Sequence, residues 1–240
     1  MFFLFPFMLI YSLPNILMAV AAIVPAVYLI VKVYKMDKIE KEPKGLILRL
    51  IGMGMVATAG AILTETIGSM LINESTVFGK FLMYFIVVAL SEEGFKYLFL
   101  RRTTWKNPDF NYQFDGIVYA VSVSLGFALL ENISYVFSYG LMTALIRAVT
   151  AIPGHACFGV FMGAWYGLSK KYRNEGDKAN EQKCGRMALL IPVLLHGAYD
   201  FIASLEGDYS WILFILFIAV LFFYTNRLLK QEAARDVRIG

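Results

Sequence analysis

The chain has 240 residues, 59% of them hydrophobic and 17% charged, with a formal net charge of +4. Soluble domains average about 45–50% apolar and about 25% charged residues, so this composition excludes a soluble globular protein and reads as a polytopic membrane protein. The charge is not a nucleic-acid footprint, because the basic residues fall in short loops beside apolar runs, and two cysteines are too few for a disulfide framework or a CxxC metal site.

Seven apolar segments, roughly 8–31, 46–72, 77–100, 115–137, 141–168, 187–205 and 211–229, each reach the length of about 20 residues that a helix needs to cross a bilayer. The expected fold is therefore all-α: a single transmembrane domain over 1–240 with about seven membrane helices. The first segment lacks a basic leading region and is too long for a signal peptide, so it is expected to be a retained span. Nineteen of the 22 Lys and Arg residues lie on alternate connections, while "INEST", "SYG" and "LEGDYS" carry none. The positive-inside rule then places the N-terminus outside and the C-terminus in the cytoplasm. Lys80, Lys96 and Arg147 are the three basic residues left over.

Segment two carries Gly52, Gly54, Ala57, Gly60 and Ala61, small residues that favour close helix contact. Its Glu65 lies near the outer end, where snorkelling suffices. Segment three holds "SEEGFKY", with Glu92, Glu93 and Lys96 at membrane depth, where charge is costly. Glu92 and Lys96 are spaced i,i+4 and can neutralise each other. Glu93 points about 100° away from Glu92, so one lysine is not expected to satisfy both. Segment four opens on Asp115, which reads as a helix N-terminal charge, and carries Glu131 in its outer half.

Segment five contains Arg147, placed like Glu65 near the outer end, and then Pro153 and Gly154, which are expected to break it into a short outer element and a full span. Gly159, Gly163 and Gly167 repeat every four residues, and His155 is the preceding position on that face. The histidine is thus expected in a tight helix interface, with Cys157 beside it as a small buried hydrophobe. Segment six carries His196 and Asp200, also i,i+4. Cys184 falls in the polar connection before it. Both histidines of the chain lie inside predicted spans.

Buried carboxylates and histidines from four helices suit water activation by a glutamate, metal binding, or oxyanion stabilisation. Proton-coupled transport uses the same residue types, but the two halves show no matched broken helices. Neither a GxSxG elbow nor an HExxH pair is present. One geometric difficulty stands out. Glu93 lies about sixteen residues, roughly 24 Å, from the outer end of its segment, against about six residues for Glu131. Their convergence requires tilt, a later start for segment three, or a tall polar cavity.

In order, "SEEGFKY" (EExxK), "FALLE" (FxxxE), "PGHACFG" and "LLHGAYDF" (HxxxD) resemble the four motifs of the PrsW family, relatives of the CAAX prenyl endopeptidases. The resemblance covers about 80–205, the expected catalytic core. It implies an intramembrane protease of the bacterial plasma membrane that makes the first cut in a single-pass anti-sigma factor during a stress response. By motif position it implies catalytic roles for Glu92, Glu93, Glu131, His155, His196 and Asp200, with Lys96 as their charge partner. Glu131 stands where the CAAX-processing relatives have a histidine. Two mechanisms follow: Zn²⁺ held by His155, His196 and a glutamate such as Glu131, or metal-free activation of water by Glu92 or Glu93 with His196 and Asp200 at the oxyanion. A transporter or a non-catalytic adaptor are the alternatives.

Overall fold

The computed structural model describes residues 13–240, and side chains from residue 16 onward. Residues 8–12 of the first predicted span lie outside the described residues. Helix α1 is Leu13–Met36 and α2 is Lys44–Leu71. Helix α3 has three parts in one run: Val77–Phe81, a π-helical Leu82–Ala89 and Leu90–Thr104. Then come α4 (Asp115–Tyr139), α5 (Leu141–Val149), α6 (Ala151–Asn174), α7 (Lys178–Ala203) and α8 (Ser210–Ala234). The only strand-like pairing among the described residues is an isolated bridge between Tyr112 and Arg238. Six elements are long and apolar enough to cross a membrane, α5 and α6 counted together, and α3 supplies the seventh predicted span as a composite.

Helix α4 is the centre of the bundle. Its most apolar window is 83% buried, against 22% for α1 and 17% for α8, whose outer faces suit lipid. Small residues set how closely its neighbours approach. A Cβ on Gly163 of α6 would stand 2.4 Å from the Ile117 Cα, and one on Gly54 of α2 would stand 2.0 Å from the Val123 carbonyl oxygen. The Gly159–Gly163–Gly167 face therefore packs on α4 as its spacing predicts, backbone against backbone. Gly52, by contrast, faces open space, so the small residues of segment two are not all contact positions. Gly163→Val forces the two backbones apart and is expected to cost about 3 kcal/mol. Unfolding in detergent micelles should show the loss, with Gly52→Val nearly neutral beside it.

The break predicted in segment five is real but lies earlier than Pro153. Helix α4 ends at Gly140, whose φ of +85° turns the chain into α5, and α6 restarts at Ala151. Pro153 sits in the first turn of α6, where its missing N–H removes no helical hydrogen bond. Cys184 is not in a loop: α7 begins at Lys178 and buries it. Cys157 is buried beside Phe158 and Leu221, as a small hydrophobe would be.

The end of the bundle bearing the basic connections is stitched by the chain's last residues. The Gln113 N–H donates to the Val237 carbonyl (3.0 Å) and the Ile239 N–H to that of Asn111 (2.7 Å). Asp37 and Glu42 are buried here, which raises the Asp37 carboxyl above its usual range and pushes that of Glu42 up to about 7. At the opposite end, the Lys80 ammonium donates to the Ser204 carbonyl at 2.8 Å and closes the C-terminus of α7.

Candidate active site

Four helices, α3, α4, α6 and α7, bring the sequence-predicted groups together. Lys96 is fully buried, and its ammonium donates to Glu92 Oε2 at 3.0 Å and to Glu93 Oε1 at 2.8 Å. One lysine thus serves both carboxylates, contrary to the expectation from their 100° separation. The reason is that Glu92 is four residues and Glu93 three residues before Lys96, and both spacings are neighbours on a helix. The same ammonium lies 3.1 Å from His155 Nδ1 on α6 and 4.0 Å from the centre of the Phe127 ring on α4.

Each histidine is gripped at both nitrogens. His155 Nε2 lies 2.9 Å from Glu131 Oε2. His196 Nδ1 lies 2.9 Å from Glu93 Oε1, and its Nε2 lies 3.2 Å from Asp200 Oδ2. Phe158 stacks on the His196 ring at 4.8 Å and fixes its plane. All six predicted residues and Lys96 therefore form one contiguous network. The difficulty over Glu131 and Glu93 resolves without their touching: the His155 ring and the Lys96 side chain span the distance between them.

The network forms the floor of a cavity of about 400 Å³. Glu92, Glu131, His155, His196 and Asp200 line it, whereas Glu93 lies beneath with no exposed surface. Tyr84, Thr150, Ala203 and Phe214 also contribute, and they lie near the helix ends joined by the connections without basic residues. The cavity thus belongs to that half of the bundle.

Glu65 and Arg147, which the sequence places as charges near outer helix ends, also line the cavity. Glu65 turns into the cavity, with Oε1 buried and lacking a hydrogen-bond partner. Arg147 reaches back from α5, its Nη2 2.9 Å from Glu131 Oε1 and its Nε donating to Asn132 Oδ1 at 3.0 Å. The Glu131 contact is close but poorly directed, since Nη2 still lacks a well-aligned acceptor. Snorkelling explains neither residue. Arg147 carries a usable signal, being with Lys80 one of two basic residues near the side whose connections have no Lys or Arg.

A metal ion fits this donor set in kind and in span. One atom each from Glu92, Glu93, His155 and His196 lies within 4.8 Å of all the others, and Glu93 Oε2 is buried without a partner. Glu131 is not among these four; it holds the far nitrogen of His155, as outer carboxylates do for histidine ligands. The Lys96 ammonium already contacts three of the four donors, so an ion and this lysine contend for the same atoms.

Carboxylates and imidazoles converging beneath a cavity inside a membrane-helix bundle suit a membrane-embedded hydrolytic site. Comparison with known proteins agrees and goes further. Residues 42–225 match the family described as PrsW family intramembrane metalloprotease. The protein called Protease PrsW in Bacillus subtilis (strain 168) is 35% identical over 220 residues, covering 91% of this chain and 96% of that protein. Its counterpart in Oceanobacillus iheyensis is 36% identical over 193 residues, 80% of this chain and 86% of that one. That of Clostridioides difficile (strain 630) is 35% identical over 219 residues, 88% of each. No solved structure gives a significant match. The chain belongs to the PrsW family, and it is an intramembrane protease and a multi-pass membrane protein.

Proposed function

We propose that the enzyme hydrolyses a peptide bond in a single-pass membrane protein, making the first cut in an anti-sigma factor. The observation that carries the chemistry is the exposure of Glu92, alone of the paired glutamates, to a cavity shared with both histidines. With the basic connections in the cytoplasm, that cavity lies in the outer half of the bilayer.

Glu92 is the general base. Lys96 holds its Oε2, leaving the other oxygen to take a proton from a water in the cavity. The resulting hydroxide attacks the scissile carbonyl carbon, and Glu92 then delivers the proton to the departing amine nitrogen. Glu93 is a positioning residue that fixes Lys96 and His196 from below. His196 and Arg147 face the developing oxyanion, with Asp200 yielding His196 Nε2 as substrate enters. Glu131 keeps the His155 ring upright between Lys96 and the cavity.

The mixed imidazole and carboxylate set suits Zn²⁺, held by His155, His196 and the paired glutamates. Such an ion would supply Lewis-acid polarisation of the carbonyl and the water. Lys96 favours the second reading, in which the buried ammonium itself supplies the positive charge beside the base.

The test is co-reconstitution of the purified chain with single-pass anti-sigma factors in proteoliposomes. Cleavage of one of them within its membrane-proximal segment supports the assignment. Cleavage only of other single-pass proteins would keep the protease and remove the anti-sigma substrate.

A further inference from the structure

At the other end of the bundle from the cavity, three carboxylates meet that hydrolysis does not use. Asp37 and Glu42 come from the α1–α2 connection and Asp115 from the first turn of α4. One oxygen from each lies within 4.8 Å of one from each of the others. They are only 2%, 2% and 0% exposed. Asp115 is more than a helix N-terminal charge, because its Oδ2 accepts the N–H groups of Asn111 (3.0 Å) and Tyr112 (2.7 Å) and so folds the preceding loop inward.

The bonds these groups make leave oxygens over. Asp115 Oδ1 and Asp37 Oδ2 are buried and accept no N–H or hydroxyl, although the Glu42 carboxyl stands within hydrogen-bonding reach of Asp115. Asn111, whose N–H holds Asp115, also buries an unpartnered Oδ1. Glu42 Oε2 accepts the Tyr119 hydroxyl. Among the described residues, no Lys, Arg or His forms an ion pair with any of the three. Lys41, close in sequence, gives its ammonium to the backbone carbonyls of Tyr34 and Asp37 instead. Asp109 and Asp236 stand near enough to add to the negative potential.

Buried carboxylates this close repel one another unless a proton or a cation is shared among them. A proton between Glu42 and Asp115 leaves Asp37 Oδ2 without a partner, which a bound cation would supply. The donors are all oxygen, with neither imidazole nor thiolate, which selects hard cations over zinc. We infer that Asp37, Glu42 and Asp115 form a structural site for a hard divalent cation of the Mg²⁺ and Ca²⁺ class. The ion ties the α1–α2 connection to the start of α4. This site is independent of the cleavage chemistry and takes a different class of ion from the donor set in the membrane.

The experiment uses the full chain in detergent micelles, stripped with a chelator and titrated separately with Mg²⁺ and Ca²⁺. At least one should raise the wild-type unfolding midpoint by about 5 °C at saturation. Asp37→Asn and Glu42→Gln should lose that shift, and Glu92→Gln should keep it. Should those two variants not fold, Fe²⁺ with ascorbate and peroxide on the wild type takes their place. Cleavage should then cluster around residues 37–42 and 109–115. The proposal is overturned by no shift in the wild type with either ion, by a shift that survives both variants, or by iron cleavage confined to the glutamate–histidine network in the membrane.

Discussion

Glu92→Gln should reduce peptide hydrolysis by about a thousandfold or more while leaving the fold intact, since a general base contributes about 10²–10⁴ to the rate. Glutamine keeps the side-chain volume and still offers an oxygen to Lys96, so the helix face changes little. What it lacks is the capacity to take a proton from water. The comparison with Glu93→Gln is informative because the two residues are adjacent yet differently placed. Glu93 has no exposed surface and binds both Lys96 and His196. Its substitution should therefore lower the unfolding midpoint as well as the activity, whereas Glu92→Gln lowers activity with little effect on the midpoint. Near-normal turnover by Glu92→Gln would remove it as the base. Product formation and thermal unfolding on the same preparations decide the matter.

Lys96→Met should destabilise the protein by about 3–5 kcal/mol, the cost of stripping a buried charge pair of one partner. The side chain is fully buried, and its loss leaves Glu92 and Glu93 facing each other without their shared cation. Part of the stability should return in the Glu93→Gln/Lys96→Met double variant, because that change also removes one of the stranded charges. Additive losses in the cycle would mean that Lys96 acts through packing on Phe127 and not through the carboxylates. Lys96→Met also reports on the metal question. Because the ammonium occupies contacts an ion would need, the variant should retain more zinc than wild type after purification, measured by elemental analysis of the folded fraction.

The helices and the core of this site are legible in the sequence because charge at bilayer depth is expensive and therefore conspicuous. Glu92, Glu93, Glu131, His155, His196 and Asp200 stand out against apolar runs, and the glycine spacing gives the face on which His155 packs. What stays hidden depends on contacts between segments. Arg147 is ordinary as a residue near a helix end; only the turn at Gly140 and the reversal of α5 bring it to Glu131. Glu65 is read by its distance from a helix terminus, yet the bundle encloses that end of α2 and turns it into the cavity. The π-helical stretch before Glu92 has no sequence mark at all. Asp37 and Glu42 disappear among the charges of a basic loop until folding buries them against Asp115.

The most direct test of the account is the position of the cut. Glu131 lies eight residues, about 12 Å, from the end of α4 at Tyr139, and the cavity is lined from that half of the bundle. Mass spectrometry of products from a single-pass substrate in proteoliposomes should place the scissile bond within about eight residues of the outer end of the substrate's membrane segment. A cut at the opposite end of that segment, level with the basic connections, would contradict it.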